Sequence, residues 1–202
     1  MPSRQAPPRE VRIVGGQWKR TRLPVFDKPG LRPTPDRVRE TLFNWLGHDL
    51  TGWSCVDAFA GTGALGFEAA SRGASQVLLV EQDPALVANL RAIQKRLSAN
   101  SVQVQRANGL SVLAALAADS VDLILLDPPF EANLFDKALA SAARAAKADG
   151  FVYLEAPAVW SDAQLEQFHL LVWRHMRAGA VHAHLLRRRE SGQPASGDAA
   201  KA

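Results

Sequence analysis

Cysteine is almost missing from this chain: its 202 residues include one, Cys55. A single thiol closes no internal disulfide, which excludes a disulfide-stapled scaffold and suits a reducing cytoplasm. Cys55 lies in an apolar run and reads as core packing. Long hydrophobic runs are missing as well. None approaches the roughly 18 residues that cross a bilayer, so no membrane partner is expected. The opening MPSRQAPPRE lacks the apolar segment of an export signal, so a cytoplasmic protein is expected. No Ser–His–Asp or Cys–His arrangement is evident. His182 and His184 would project the same way from a strand with no third ligand in view, so no metal site is expected. No internal repeat is present.

Charge is unevenly spread. The net charge is +4, but residues 1–40 carry ten Lys/Arg against Glu10, Asp27, Asp36 and Glu40, leaving the remainder slightly acidic. A basic arm on a nearly neutral body suits a polyanion partner as well as it suits a solvated surface. Residues 1–10 are polar and expected to be disordered, as is the tail at 190–202. The segment 11–48 reads as a basic extension, and 49–189 as the main domain. Within the extension, VRIVGGQWKRTRLPV forms two short runs around Gly15-Gly16, a hairpin pattern with cations on one face. Pro33 and Pro35 break the chain, and Asp36 is placed to cap a helix running to about Leu46.

From Ser54 onward the pattern is regular. Apolar runs at 55–59, 77–80, 102–105, 121–126 and 151–154 alternate with helical stretches at 64–71, 84–98, 110–117 and 134–148. Such alternation predicts a doubly wound α/β sheet, mainly parallel. Further strands near 170–175 and 180–187 follow a helix around 162–167, and residues 176–179 between them are too few for a parallel crossover. The last pair is therefore predicted to be an antiparallel hairpin. Seven strands ending this way resemble the Rossmann-like sheet of class I methyltransferases more than the six-stranded dinucleotide fold.

The stretch VDAFAGTGALGFEAA, Val56 to Ala70, satisfies the G-x-G-x-x-G fingerprint with Gly61, Gly63 and Gly66. Glycines after the first strand let the backbone turn sharply and bring free helix N–H groups to an anion. That anion is a pyrophosphate or the carboxylate of S-adenosylmethionine (SAM). Asp57, four residues before Gly61, would repel a pyrophosphate and attract an ammonium or sulfonium. Glu81, at the end of the second strand, can accept ribose hydroxyls in either cofactor, and Asp83-Pro84 reads as a helix cap.

LILLDPPFEANLF places Asp127 at the carboxyl end of the fourth strand, followed by Pro128, Pro129 and Phe130. Two prolines stiffen the turn and remove backbone donors. The Asp127 side chain and the Pro128 carbonyl are then both acceptors. An exocyclic base amino group needs such a pair, because its lone pair is delocalised and two preorganised acceptors favour the pyramidal nitrogen that attacks a methyl group. Phe130 offers a stacking face. Guanine N2, adenine N6 and cytosine N4 all satisfy this chemistry. Outside it stand an NAD(P)-dependent oxidoreductase and a catalytically silent RNA-binding factor.

The motifs RIVGGQWKRTRLPV, PGLRPTPDRVRETLFNWL, DAFAGTGALGFEAASRGA and DPPF together resemble the RsmD-type 16S ribosomal RNA guanine-N2 methyltransferases, in order, over about residues 11–190. The resemblance implies a bacterial enzyme using SAM to methylate one guanine of the small-subunit RNA, naked or within a 30S particle, as a monomer. It places Asp57, Gly61, Gly63, Glu81 and Asn108 around the cofactor, with Arg32 and Thr34 over cofactor and base. Arg12, Trp18, Lys19, Arg20, Arg22, Arg37 and Arg39 are candidates for RNA contact. Arg37 and Arg39 could equally pair with Asp36 or Glu40, and Trp18 could equally anchor the hairpin.

Overall fold

The alternating pattern resolves into a seven-stranded sheet in the computed structural model, which describes residues 10–26, 28, 31, 33–129 and 134–189. Arg32, Phe130 and the expected disordered stretches at 1–9 and 190–202 lie outside these. Glu10, assigned to the disordered leader from its polarity, instead opens strand β1 (Glu10–Arg12), which pairs antiparallel with β2 (Arg22–Pro24). Helix α1 (Asp36–Leu46) follows, burying Val38, Leu42, Phe43 and Leu46 along one stripe at helical spacing. The main sheet is built from β3 (Ser54–Asp57), β4 (Gln76–Glu81), β5 (Val102–Arg106), β6 (Val121–Leu126), β7 (Ala146–Ala156), β8 (Leu170–Ala178) and β9 (Val181–Arg188). Helices α2 (Ala64–Ser71), α3 (Pro84–Arg96), α4 (Gly109–Ala115), α5 (Leu134–Ala145) and α6 (Asp162–Leu165, continued by a 3-10 turn) connect them.

The strand order is β5-β4-β3-β6-β7-β9-β8. The first five are parallel, and β9 runs antiparallel to both β7 and β8. The expected terminal hairpin is therefore present, with β8 running on to Ala178 through most of the expected 176–179 link. The chain moves outward from β3 to β5 and then returns to the other side of β3 as β6. Ligands of open α/β sheets bind where such a reversal leaves a crevice at the carboxyl ends.

Two expectations need correction. Helix α5 stops at Ala145, not 148, and β7 begins at once at Ala146. Lys147 Nζ is held by the Asp122 carboxylate at 2.8 Å, and Val121 pairs with Ala146 before the register shifts so that Leu123 pairs with Phe151. That bridge draws a stretch of helical composition into the ladder. Asp36 is not a cap either. Pro35 occupies the cap position, and Asp36, the first helical residue, accepts from Arg12 at 2.8 Å and Arg39 at 2.7 Å. Two cations outcompete the backbone for its carboxylate.

The apolar side chains separate into two clusters, one on each face of the sheet. On one face Ile124, Leu126, Val152 and Leu154 meet Ala138, Leu139 and Ala142 of α5. On the other, Leu65, Phe67, Leu79 and Leu90 share a core with Val11, Ile13, Leu23, Leu42 and Phe43 from the N-terminal segment. Cys55 is buried there too, and burial pushes its thiol pKa up, which leaves it unreactive.

Candidate active site

The loop after β3 is shaped by its glycines. Gly61 and Gly63 adopt φ of +51° and +78°, a region closed to most side chains. A side chain on Gly66 would strike Leu79 across the α2–β4 contact. Only glycines allow the strand to turn directly into α2, with the helix N-terminus opening beside the sheet edge. Asp57 is turned into this turn: it is 2% exposed, and its Oδ2 accepts the Gly66 N–H at 3.1 Å. Burial pushes its pKa up to about 7, opposed by N–H groups of Gly66 and Phe59 and reinforced by Glu81 and Glu155. Glu81, at the end of β4, ties the neighbouring strand to the loop, accepting the Gly61 N–H at 3.0 Å and the Asp83 N–H at 2.9 Å. Asp83 caps α3 as expected, accepting from Ala85 and Leu86, and is paired with Lys28. Asn108 caps α4 through Oδ1, which accepts the Ser111 N–H at 3.1 Å. Gly109 beside it packs so closely that a side chain would run into the Ala58 carbonyl. This glycine was missed in the sequence because it belongs to no fingerprint.

Asp127 follows the last residue of β6, partly exposed, with Pro128 buried and Pro129 exposed beyond it. Its pKa lies well above the ordinary carboxylate range, first through burial and then through the charges of Glu155 and Asp57. Glu155 was also missed. It is 4% exposed near the end of β7, and its Oε1 accepts both the Thr34 hydroxyl at 2.7 Å and the Tyr153 hydroxyl at 2.9 Å. Burial raises its pKa, opposed by these two bonds. Asp57 pairs with Leu125 and Leu125 with Tyr153, so by strand alternation Asp57, Asp127, Tyr153 and Glu155 share one face of the sheet. Asp57 pairs with Leu79 in β4, so Glu81 joins this face, and none of the four carboxyl groups of Asp57, Glu81, Asp127 and Glu155 makes an ion pair among the described residues. An uncompensated cluster of this kind at a topological switch point marks a ligand site.

The sequence profile of the family described as "Conserved hypothetical protein 95" matches residues 11–187. The chain belongs to this family. The resemblance read from the motifs is borne out by the family's relatives. A protein of Escherichia coli (strain K12) called ribosomal RNA small subunit methyltransferase D is 45% identical over 130 residues, 64% of this chain and 65% of the relative. The match therefore spans slightly less than two thirds of that relative's length. A solved structure described as a putative methyltransferase from Escherichia coli superposes with a TM-score of 0.74 at 34% identity, covering 89% of this chain and 98% of the other. A putative methylase from Haemophilus influenzae gives 0.73 at 30% identity, covering 90% and 99%. The fold is accordingly the Rossmann-like methyltransferase sheet.

In this family member the N-terminal segment is docked by a second acid. Glu68 of α2 is fully buried and accepts from Arg39 at 3.1 Å, Arg72 at 2.9 Å and the Val14 N–H at 2.8 Å. Arg39 also binds Asp36 and the Thr34 carbonyl, and it is 0% exposed. It is therefore unavailable to phosphate, contrary to its reading as an RNA contact. Its charge is needed against Glu68. Trp18 is half-buried against the core, its backbone N–H donating to the Ser71 hydroxyl at 2.9 Å. Arg12 and Arg22 are exposed but paired with Asp36 and Glu10. Lys19, Arg20 and Arg37 are exposed. Arg96 at the end of α3 donates to the Arg22 carbonyl at 2.7 Å, which adds the α3 cations Lys95 and Arg96 to the basic surface of the hairpin. Their proximity was hidden by the 74 residues between Arg22 and Arg96.

Proposed function

We propose that the protein transfers a methyl group from SAM to the exocyclic N2 of a guanine in small-subunit ribosomal RNA. The observation that carries this reading is the adjacency of Asp127-Pro128 to a glycine turn and a helix N-terminus, amid acids that make no ion pair among the described residues. The residues present fit SAM. The α2 N-terminus suits its carboxylate, Glu81 its ribose hydroxyls, and Asp57 its two positive charges. Asn108, whose Oδ1 is taken by the α4 cap, is assigned to the adenine through its remaining amide group. When bound, SAM supplies an electrophilic methyl on a sulfonium, so no other activation is required.

The chain's own work is positioning. The Asp127 carboxylate and the Pro128 carbonyl accept the two amino hydrogens, which directs the nitrogen lone pair away from the ring system. Asp127, whose pKa is raised by burial and by its neighbours, then takes up the proton released when the N–C bond forms. Phe130, next in sequence, is assigned to stacking on the base. Arg32 and Thr34 are assigned to the cover over cofactor and base, with Thr34 fixed there by Glu155. Lys19, Arg20 and Arg37, with Arg12, Arg22 and Trp18 at the margin, are assigned to the RNA backbone. The relatives' names support ribosomal RNA as the substrate, and the choice of guanine N2 rests on the family resemblance.

The test is methyl transfer from labelled SAM to 16S RNA and to 30S particles from cells lacking the modification, followed by mapping. Label in one N2-methylguanine is expected. Label on adenine N6 or cytosine N4, or none with either substrate, would overturn the assignment.

A further inference from the structure

Asp127 with two prolines explains how an amino group is held, but guanine, adenine and cytosine all offer one. What distinguishes them is the ring nitrogen beside the carbon that bears it. In guanine one of the two ring nitrogens flanking that carbon, N1, carries a hydrogen. In adenine and cytosine the corresponding ring nitrogen is a bare acceptor. A site that reads guanine by this feature needs a second acceptor next to the first.

Glu155 is in that place. Leu126 pairs with Leu154 in the parallel β6–β7 ladder, so Asp127 and Glu155 follow as neighbours one residue further on, toward the same face. Both hydroxyl donors, Thr34 and Tyr153, fall on Oε1. Among the described residues Oε2 accepts no hydrogen bond, and no cation pairs with the group. The arginine nearest in kind, Arg39, is committed to Glu68, Asp36 and the Thr34 carbonyl. A carboxylate this buried without a cation is destabilising unless something else uses it. Two hydroxyls clamped on one oxygen fix the direction of the other, as preorganised recognition requires.

We propose, building on the methyl-transfer reading above, that Glu155 determines base specificity by accepting the guanine N1–H at Oε2 while Asp127 and Pro128 hold N2. Adenine or cytosine in the same pose would set a ring-nitrogen lone pair against a carboxylate oxygen. A buried acceptor left unpaired in this way is the strongest basis for rejecting a close analogue. Thr34 and Tyr153 are positioning residues for this contact, acting through Glu155.

The test uses small-subunit RNA carrying either guanine or 2-aminopurine at the mapped target. 2-Aminopurine keeps the same 2-amino group but lacks the N1 hydrogen. Wild-type protein should methylate guanine on the order of 100-fold or more better in kcat/KM. Glu155→Gln, whose amide can donate to a bare N1, should shrink that ratio at least about tenfold while SAM affinity stays within a few-fold. The wild-type ratio needs no variant, so a poorly folding substitution leaves the idea testable. Guanine methylation with a wild-type ratio near one would overturn the specificity role alone, as would an unchanged ratio in folded Glu155→Gln. No transfer to guanine by the wild type would overturn the methyl-transfer reading itself.

Discussion

Glu68 and the acids of the crevice are treated in opposite ways in this fold. Glu68 is balanced by two arginines and a backbone N–H, all aimed at one carboxylate. Asp57, Glu81 and Glu155 accept N–H or O–H groups, and neither they nor Asp127 meet a cation among the described residues. The first arrangement fastens the N-terminal segment onto α2 and leaves nothing over for a ligand. The second leaves Asp57, Asp127 and Glu155 with pKa values raised first by burial, and for Asp57 and Asp127 then by neighbouring acids, which makes the site receptive to a cation and to base N–H groups. Compensation therefore separates scaffold from site more clearly than burial does.

The sharpest way to break this contrast is Asp127→Ala. Methyl transfer should fall by about 10²–10³-fold, the range seen when one preorganised polar partner of a transition state is lost. SAM affinity measured by calorimetry should change little. An undiminished rate would remove Asp127 from the mechanism. On the scaffold side, Arg39→Met leaves Glu68 under-compensated in the core. It should lower unfolding free energy by about 3–5 kcal/mol, measured by denaturant titration. A loss below about 1 kcal/mol would mean that Arg72 alone satisfies Glu68.

Asp57 gives a pH-dependent version. Its folded pKa of about 7 stands above the ordinary value, so the folded state holds a proton that the unfolded chain releases. The associated stability is fully present below about pH 4 and is lost as pH rises toward 7, by at most about 4 kcal/mol. Asp57→Asn, which keeps an acceptor for the Gly66 N–H, should therefore lose less stability than wild type between pH 5 and pH 8. Parallel curves for the two proteins would place the proton elsewhere. The smallest effect belongs to the exposed cations. Replacing Lys19 and Arg20 should weaken RNA binding and make the salt slope shallower by about one unit per lost phosphate contact. An unchanged slope would assign RNA contact to another surface.

Much of the scaffold was legible in the sequence, because it depends on local spacing. The glycine turn, the alternation of strands and helices and the short 176–179 link each constrain a few neighbouring residues. The Asp83 cap and the placement of Asp127 follow from the same kind of signal. What escaped depends on distant pairing. Arg39 and Arg37 sit two residues apart with the same charge, and only the packing of α1 against α2 buries one and exposes the other. Glu155 looks like any acid near a strand end until the β6–β7 register sets it beside Asp127. Trp18 next to two cations suited RNA stacking and hairpin anchoring equally, and it is half-buried on the core with its backbone held by Ser71. Asp36 was misread since helix caps are inferred locally, and its partner Arg12 lies 24 residues away.

The contrast between the two acid groups is tested most directly by the melting temperatures of Asp127→Asn and Arg39→Met, measured beside wild type without ligand. Removing one charge from the uncompensated group should leave the melting temperature unchanged or raise it, though the same variant loses methyl transfer. Removing a cation from the balanced group should lower it by several degrees or more. Asp127→Asn melting as far below wild type as Arg39→Met would contradict the account, since the crevice acids would then be scaffold as well.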